Sequence, residues 1–303
     1  MEELESLIKL LGEYPLPGLR LLEREPLKNH TSFRIGGPVR LMAVAEGSKY
    51  GGVQTLLRLA MDQGVTPLFM GNGTDLLAPD EGLDRLIIKT TADEITRNET
   101  VLTARSGALL STLAVTAQKA GLTGLEFAHG IPGSVGGGVT MDAGAYGGEL
   151  RDCLTAVTWL TMDGEQHVSP ASDCDLSYRH SVFSPGNRYI VSAQFALQKG
   201  DPGVVRAKME ELSQKRREKQ PLDLPSAGST FKRPAGYFAA ALIEECGLKG
   251  KTIGGAQVSA KHAGFVVNMG GATCHDVRAL IDLIQETVFR QMGVQLEPEI
   301  KIL

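Results

Sequence analysis

Two glycine-rich segments in the first half of the chain are the residues whose types and spacing suggest chemistry. The longer one runs from Gly130 to Gly148, and eight of its nineteen residues are glycine. Glycine gives up side-chain packing and costs backbone entropy, so this density indicates that the backbone approaches another group closely. A shorter loop, residues 71–77, follows a strand-like run. The bare N–H groups of such loops suit phosphate oxygens, and two loops predict a diphosphate with an extended body. A dinucleotide is the first hypothesis.

The common nucleotide-binding motifs do not account for these loops. Gly71 and Gly73 supply the first two glycines of a Rossmann fingerprint, but Leu76 stands where the third belongs. The sequence contains no G-x-x-x-x-G-K-[ST], which excludes a P-loop. The long segment holds so much glycine that we expect no helix in it, and therefore no helix dipole. The pattern predicts phosphate-binding loops of another fold.

Composition and charge restrict the class of protein. A chain of 303 residues exceeds what one hydrophobic core normally serves, which predicts two or three domains. The net charge of −4 argues against a general nucleic-acid binder. The four cysteines form no C-x-x-C pair, which fits reduced thiols and not disulfides or zinc. We find no membrane-length apolar run and no signal-like N-terminus, and we expect a cytoplasmic monomer that binds neither nucleic acid nor a membrane.

Helices and strands must position the loops, and hydrophobic spacing predicts both kinds of element in both halves. Helices are expected over residues 1–11, 53–61, 108–120, 204–219, 237–246 and 277–292. Strands are expected over residues 65–70, 86–89, 101–104, 154–161, 189–197, 263–268 and 294–303. The last helix is expected to begin at Thr273, with Asp276 completing a loose capping box. Glycine and proline at 200–203 indicate a domain edge.

Seven short motifs, in this order and spacing, resemble the UDP-N-acetylenolpyruvoylglucosamine reductases over residues 29–303. They are Asn29-His-Thr-Ser-Phe-Arg-Ile-Gly-Gly37, Gly71-Asn-Gly-Thr-Asp-Leu-Leu77, the segment Gly130–Gly148, Tyr178-Arg-His-Ser181, Ala227-Gly-Ser-Thr-Phe-Lys-Arg-Pro234, Lys261-His-Ala-Gly-Phe-Val-Val-Asn268 and Glu297-Pro-Glu299. The resemblance implies an α/β (α+β) fold of the shorter class of the family. Its FAD-binding part is of the vanillyl-alcohol-oxidase type with two subdomains, and a C-terminal α+β domain binds substrate. The implied division is an N-terminal helical segment (1–28), the FAD-binding domain (29–200, subdomain boundary near 95–105) and the substrate-binding domain (201–303).

The resemblance also implies the reaction and its residues. NADPH would reduce a non-covalent FAD, and hydride would then pass to the enolpyruvyl sugar of UDP, completing UDP-N-acetylmuramate for bacterial peptidoglycan. Ser229 corresponds to the proton donor, Arg179 to the arginine that stabilises the enolate, and Glu299 to the C-terminal glutamate. Glu297 competes for that last role, but the residue after Pro298 fits the motif better.

Further residues are assigned to the two ligands by the same motifs. Those for the cofactor are Gly71, Asn72, Gly73, Thr74, Asp75, Gly130, Ile131, Pro132, Gly133, Ser134, Gly137, Gly138 and Arg34. Those for the substrate are Tyr178, Lys219, Lys232 and Arg233. The histidines have no metal-ligand spacing, and no metal is expected.

Departures from the family pattern leave specific questions. Asp142 stands where asparagine is usual, and Thr74-Asp75 replaces the frequent Ser-Asn. We expect both carboxylates to point away from a diphosphate or to accept backbone N–H groups. Two alternatives remain: another FAD-dependent oxidoreductase on the same fold, and a non-catalytic nucleotide-sugar-binding protein. The first has no need of the Ser229, Arg179 and Glu299 set, and the second needs no flavin.

Overall fold

The chain divides into two structural units, each assembled from three separate segments. In the computed structural model, which describes residues 2–14, 16–47 and 49–303, unit 1 comprises Met1–Arg24, Arg40–Asn72 and Asp84–Gln214. Unit 2 comprises Glu25–Val39, Gly73–Leu83 and Lys215–Leu303. The loop at 71–75 therefore begins in unit 1 and continues in unit 2. The three-part domain division from the sequence stays a prediction.

Helices and strands occur in both units. The α-helices are α1 (Glu2–Glu13), α2 (Gly51–Asp62), α3 (Leu110–Lys119), α4 (Val135–Thr140), α5 (Pro202–Lys219), α6 (Ala239–Glu245) and α7 (Cys274–Met292). The strands are β1 (Leu19–Pro26), β2 (Pro38–Ala45), β3 (Leu68–Met70), β4 (Leu76–Leu77), β5 (Leu83–Thr90), β6 (Ile95–Asn98), β7 (Val101–Arg105), β8 (Leu122–Thr123), β9 (Gly144–Ala145), β10 (Gly148–Glu149), β11 (Leu154–Leu160), β12 (Gln166–Pro170), β13 (Tyr189–Ala196), β14 (Gln198–Lys199), β15 (Thr252–Ile253), β16 (Ala256–Val258), β17 (Val266–Asn268) and β18 (Lys301–Ile302).

Unit 1 is built on two sheets. The first has the strand order β1-β2-β5-β3, and β3 runs parallel to β5 with Met70 opposite Lys89. The second has the order β12-β11-β13-β7-β6, and its neighbours are antiparallel. Buried leucine, isoleucine, valine and alanine side chains of α1 and α2 form one core with the first sheet, and those of α3 and α4 form another with the second. The first of these cores holds β3 and β5 in place, and the short glycine loop begins directly after β3.

Unit 2 packs α6 and α7 with the small antiparallel sheet β15-β16-β17. Strand β18 runs parallel to β4, so Lys301 and Ile302 lie beside the last two residues of the short glycine loop. The apolar residues of α7 at helical spacing, from Val277 to Val288, are buried as the sequence predicts. Their burial supplies most of the stability of this helix, because isolated helices are marginal in water.

The predicted helices occur with shifts of a few residues at their ends, and several strands, β1 and β2 among them, were not predicted. In β2 nearly every residue is buried, so it lacks the alternation by which a half-exposed strand is recognised. The strand predicted over residues 294–303 is only Lys301–Ile302, and Pro298 pairs with Phe231 through an isolated bridge. Proline lacks the N–H that a continuous ladder needs, which accounts for the interruption.

The expectation of no helix in the long glycine segment was wrong. Val135–Thr140 forms α4, and the Ser134 hydroxyl accepts a hydrogen bond from Gly137 N (3.5 Å) at its start. The glycines permit close packing: a Cβ on Gly136 would lie 2.9 Å from Ser106 Cβ, and one on Gly138 would lie 2.9 Å from Leu110 Cδ1. Tertiary packing therefore offsets the low helix propensity of glycine, about 1 kcal/mol per residue.

The start of α7 is capped as the sequence predicts. Thr273 Oγ1 accepts from Asp276 N (3.0 Å), and the Asp276 carboxylate accepts from Thr273 N (3.0 Å). We expect Thr273→Ala to lower the free energy of unfolding by about 1 kcal/mol, because one N–H of the first turn loses its acceptor. Thr273→Ser keeps the hydroxyl, so it should lower the free energy of unfolding by only about a few tenths of a kcal/mol. Urea unfolding of both variants checks this, and equal losses would contradict it.

Candidate functional site

The two glycine-rich loops meet in unit 1. The Asn72 side-chain amide donates a hydrogen bond to Pro132 O (2.7 Å). A Cβ on Gly71 would overlap the Ser134 hydroxyl, so the absence of a side chain allows the loops to approach. Ser134 also pairs with Leu109 through an isolated bridge, and Leu110 N donates to Gly133 O (3.0 Å). The sequence identified these loops separately, and the structure brings Gly71, Asn72, Pro132 and Ser134 together.

The same loop continues in unit 2, where it packs against the segment that follows Asn29. Ser32 N donates to Gly73 O (3.0 Å), and a Cβ on Gly73 would overlap the His30 carbonyl oxygen. Gly73 has φ of +65°, a conformation that other residues rarely adopt. Arg34 lies on the same segment and is exposed, at the end of a turn in which its N–H donates to Thr31 O (3.1 Å).

Lys89 is a contributor to this site that sequence reasoning missed. It is the next-to-last residue of β5, and its ammonium donates to Gly71 O (2.9 Å). Burial lowers the pKa of Lys89 below its usual range. The signal in the sequence was a lysine directly after Leu86, Ile87 and Ile88, which are fully buried. Lysine is rarely buried unless its charge has a partner.

A cavity of about 180 Å³ lies beside Lys89 and the short loop. Its walls are mostly backbone and small polar side chains, with Leu109 as an apolar contribution. The lining residues are Gly71, Asn72, Lys89, Thr90, Thr91, Asp93, Gly107, Leu109 and Thr112. Its lining of amides, hydroxyls and an ammonium suits a polar anionic group, although the lining also includes the Asp93 carboxylate.

The segments that carry Ser229 and Glu299 run side by side in unit 2. Glu299 N donates to Thr230 O (2.9 Å), and Lys232 N donates to Glu297 O (2.9 Å), on either side of the Phe231–Pro298 bridge. Ser229 precedes this pairing and is half-buried, as is Glu299. The backbone around the serine is fixed further, because Thr230 N donates to Gly264 O (2.8 Å). Two predicted catalytic residues, 70 positions apart in sequence, therefore lie within one residue of register.

The two candidate glutamates differ in their surroundings. Glu297 is exposed and its carboxylate forms an ion pair with Lys232. Glu299 is half-buried and adjoins the serine loop. The pairing gives Glu297 a local structural role, which supports the choice of Glu299.

Arg179 lies in unit 1, in a tight turn. Ser177 and His180 exchange both backbone hydrogen bonds (3.1 and 2.9 Å), and Arg179 between them has φ of +58°. Its guanidinium lies over the Tyr178 ring, 4.8 Å from the ring centre. Ser181 Oγ donates to Thr140 O (2.8 Å) and ties this turn to the end of α4. The turn thus presents Tyr178 and Arg179 from a fixed backbone.

The remaining substrate candidates lie in unit 2. Lys219 ends α5, Lys232 pairs with Glu297, and the Arg233 guanidinium lies over the exposed Phe238 ring at 4.0 Å. A guanidinium can stack on an aromatic ring and also donate hydrogen bonds from its N–H edge. The roles of these residues stay predictions.

Asp142 behaves as the sequence analysis expected. Its carboxyl is fully buried and accepts from Arg151 N (3.0 Å), with Arg151 Nε 3.6 Å from the other oxygen. Burial raises the pKa of the Asp142 carboxyl, and the bond from Arg151 N offsets this only in part. One oxygen of the Asp142 carboxylate therefore accepts a hydrogen bond from a backbone N–H.

A raised pKa has a defined consequence for stability. The folded protein binds a proton at Asp142 more readily than the unfolded chain, so the contribution of Asp142 to stability falls as the pH rises through that pKa. We expect Asp142→Asn to raise the thermal unfolding midpoint at pH 7. The gain should shrink as the pH falls below about 3, under the ordinary aspartate pKa of about 3.9, where the carboxyl is mostly protonated in both states. Melting curves across this range check it, with the exposed Asp84→Asn as control. A lower midpoint at pH 7 would contradict it.

Three of the four cysteines are buried, and the fourth, Cys246, is half-buried. All four cysteines are free thiols, as predicted. Burial raises the pKa of Cys153 to about 12 and that of Cys274 to about 11, so neither is a thiolate near neutral pH. Across the described residues, no cluster of histidine, cysteine, aspartate and glutamate is arranged to bind a metal. None of the helices in this described part of the chain is both long and apolar enough to span a bilayer.

Comparison with known proteins agrees with these observations. Residues 42–169 match the family described as FAD binding domain, and residues 220–303 match the UDP-N-acetylenolpyruvoylglucosamine reductase C-terminal domain. The UDP-N-acetylenolpyruvoylglucosamine reductase of Agathobacter rectalis is 46% identical, over 99% of this chain and 98% of its own length. That of Caldanaerobacter subterraneus is 44% identical over 98% of each. The solved reductase of Thermus caldophilus superposes with a TM-score of 0.81 at 33% identity, covering 94% of this chain and 99% of that one.

The residues present fit the FAD that this match implies. A Cβ on Gly71 would overlap the Ser134 hydroxyl, and one on Gly73 would overlap the His30 carbonyl oxygen. At both glycines the loop backbone therefore packs closely against a neighbouring segment. Asn72 links the short loop to the long one, and Lys89 adds a cation beside it. These are features of a diphosphate site made by backbone.

The expected fold class and cofactor are confirmed, and the protein is an FAD-dependent oxidoreductase. Full-length similarity to curated reductases, together with the solved relative, decides its classification. The chain belongs to the UDP-N-acetylenolpyruvoylglucosamine reductase family.

Proposed function

We propose that the protein reduces UDP-N-acetylglucosamine enolpyruvate to UDP-N-acetylmuramate with NADPH, as a cytoplasmic step of peptidoglycan synthesis. The names of its full-length relatives support the substrate, since they match over 99% and 98% of the chain. The four free thiols are typical of a reducing compartment.

The single observation that supports this proposal best is the backbone pairing of Glu299 with Thr230, the residue that follows Ser229. When bound and reduced by NADPH, FAD would supply hydride to the methylene carbon of the enolpyruvyl group. Negative charge then develops on the adjacent carbon and its carboxylate, and that carbon needs a proton. The Ser229 hydroxyl is the proposed donor, and Glu299, one register position away, orients the serine or assists its proton transfer. A positioned acid contributes roughly 10²- to 10⁴-fold in rate.

Charge stabilisation is the second requirement. Arg179 is proposed to bind the developing enolate, because its planar guanidinium matches a carboxylate with two parallel hydrogen bonds. The turn at Ser177–His180 fixes its backbone, which reduces the entropy lost on binding. Removing one such donor typically costs about 3–4 kcal/mol of transition-state stabilisation.

Four side chains are proposed to bind the UDP-sugar. Tyr178, Lys219, Lys232 and Arg233 supply a phenol and three cations for the diphosphate and the sugar. On binding, the Lys232 ammonium would contact a phosphate oxygen in place of the Glu297 carboxylate, or would contact both. An exposed ion pair is worth little, so this exchange costs little.

Anaerobic half-reactions test the proposal. The purified holoprotein should lose its yellow colour with NADPH and regain it with UDP-N-acetylglucosamine enolpyruvate, at rates that account for turnover. An oxidase on the same fold would be reoxidised by oxygen and not by the enolpyruvyl sugar. A nucleotide-sugar-binding protein would carry no flavin. A chain that binds FAD but is not reoxidised by the sugar would overturn the proposed substrate.

A further inference from the structure

Lys89 connects the sheet of unit 1 to the short glycine loop. Strands β3 and β5 are parallel, and Met70 is opposite Lys89. Gly71 follows β3 directly, and Lys89 Nζ donates to its carbonyl (2.9 Å). The first peptide of the loop is therefore held by a side chain of the neighbouring strand.

This bond fixes the direction of a backbone donor. In a trans peptide the carbonyl of Gly71 and the N–H of Asn72 belong to one plane and point in opposite directions. Holding Gly71 O toward Lys89 therefore holds Asn72 N–H away from it. The side chain of Asn72 is held as well, by its bond to Pro132 O (2.7 Å).

The next residue of β5 reaches the long glycine segment. The hydroxyls of Thr90 and Ser106 are hydrogen-bonded (3.0 Å), and Ser106 O accepts from Gly136 N (2.8 Å). Two consecutive residues at the end of β5 thus hold both glycine loops. Because β5 is a central strand of its sheet, it gives them a rigid common support.

The positive charge of Lys89 would be stabilised by a nearby anion. Within the part of the chain that is described, no carboxylate lies within ion-pair distance of its ammonium, although the exposed Asp93 lines the same cavity. A half-buried cation bonded to a neutral carbonyl is incompletely compensated, which costs free energy. A dianionic diphosphate bound at the loop would supply the missing charge.

We infer that Lys89 is a positioning and charge-complementing residue of the FAD site: its ammonium orients the Gly71–Asn72 peptide and favours the cofactor diphosphate. The FAD dissociation constant measures this without reference to turnover. We would dilute holoprotein and follow the fluorescence of released flavin, at low and at high ionic strength. Lys89→Met should raise the dissociation constant about 10- to 100-fold, the range for losing a charge-assisted hydrogen bond.

Three further variants distinguish charge from geometry and from damage. Lys89→Arg should stay within about threefold of wild type, because it keeps the charge and the donors. Lys89→Gln keeps a donor and loses the charge, so it should also bind FAD at least about tenfold more weakly at low ionic strength. Lys119→Met, exposed at the end of α3, removes the same charge elsewhere and should have no effect.

The outcomes decide the inference. Wild-type dissociation constants for both Lys89→Met and Lys89→Gln would overturn it, and weak binding by Lys89→Arg with an unchanged melting midpoint would overturn the role of charge. If Lys89→Met fails to fold, the contrast between Lys89→Gln and Lys89→Arg tests the same point. Affinity restored by arginine but not by glutamine would support the inference.

Discussion

Ser229→Ala is expected to leave the reduction of bound flavin by NADPH unchanged and to slow its reoxidation by the enolpyruvyl sugar about 10²- to 10⁴-fold. The reason is that the first half-reaction needs no proton at the sugar, whereas the second leaves a carbanion that must be protonated. Stopped-flow absorbance of the flavin under anaerobic conditions measures the two halves separately.

Two variants make this result specific. Ser226→Ala, in the same loop and also half-buried, should retain both rates. Ser229→Cys should recover part of the second rate, since a thiol is the stronger acid. Equal losses in both half-reactions of Ser229→Ala would indicate damage to the site and would remove the serine from its proposed role.

Gly73→Ala is expected to lower the free energy of unfolding by roughly 3 kcal/mol or more and to yield protein with little FAD. A Cβ at this position would overlap the His30 carbonyl oxygen and lie 3.2 Å from Thr31 Cα, so backbone would have to move. The φ of +65° adds strain. Any displacement moves the residues proposed to bind the diphosphate. Urea unfolding and the ratio of flavin to protein absorbance measure the two effects.

Gly250→Ala is the matched control. Gly250 lies in the same unit with φ of +78°, but a Cβ there would have no atom within 4 Å. It should cost only about 1 kcal/mol, from the left-handed conformation alone, and should retain FAD. Similar losses for the two variants would show that the backbone contact at His30 contributes nothing.

The contrast between α7 and α4 shows where sequence reasoning succeeds. In α7 the apolar residues repeat with helical period between a Thr273 cap and Gly293 at the end, so local signals suffice. In α4 the local signals oppose a helix, because three of its six residues are glycine. Only the surfaces of Ser106, Leu110 and Leu150 against which those glycines pack make the helix favourable.

The sequence by itself determined the chemical inventory of this protein: two glycine-rich loops, a serine, an arginine and a glutamate in recognisable motifs, and ordinary thiols. Those features are local in the chain, so residue type and spacing reveal them. The tertiary structure decided what lies next to what. It paired the backbone of Glu299 with the Ser229 loop, 70 residues away in sequence. It also formed the hydrogen bonds from Asn72 to Pro132 and from Lys89 to Gly71. Such contacts depend on strand register and on the packing of distant segments, and no local pattern encodes them.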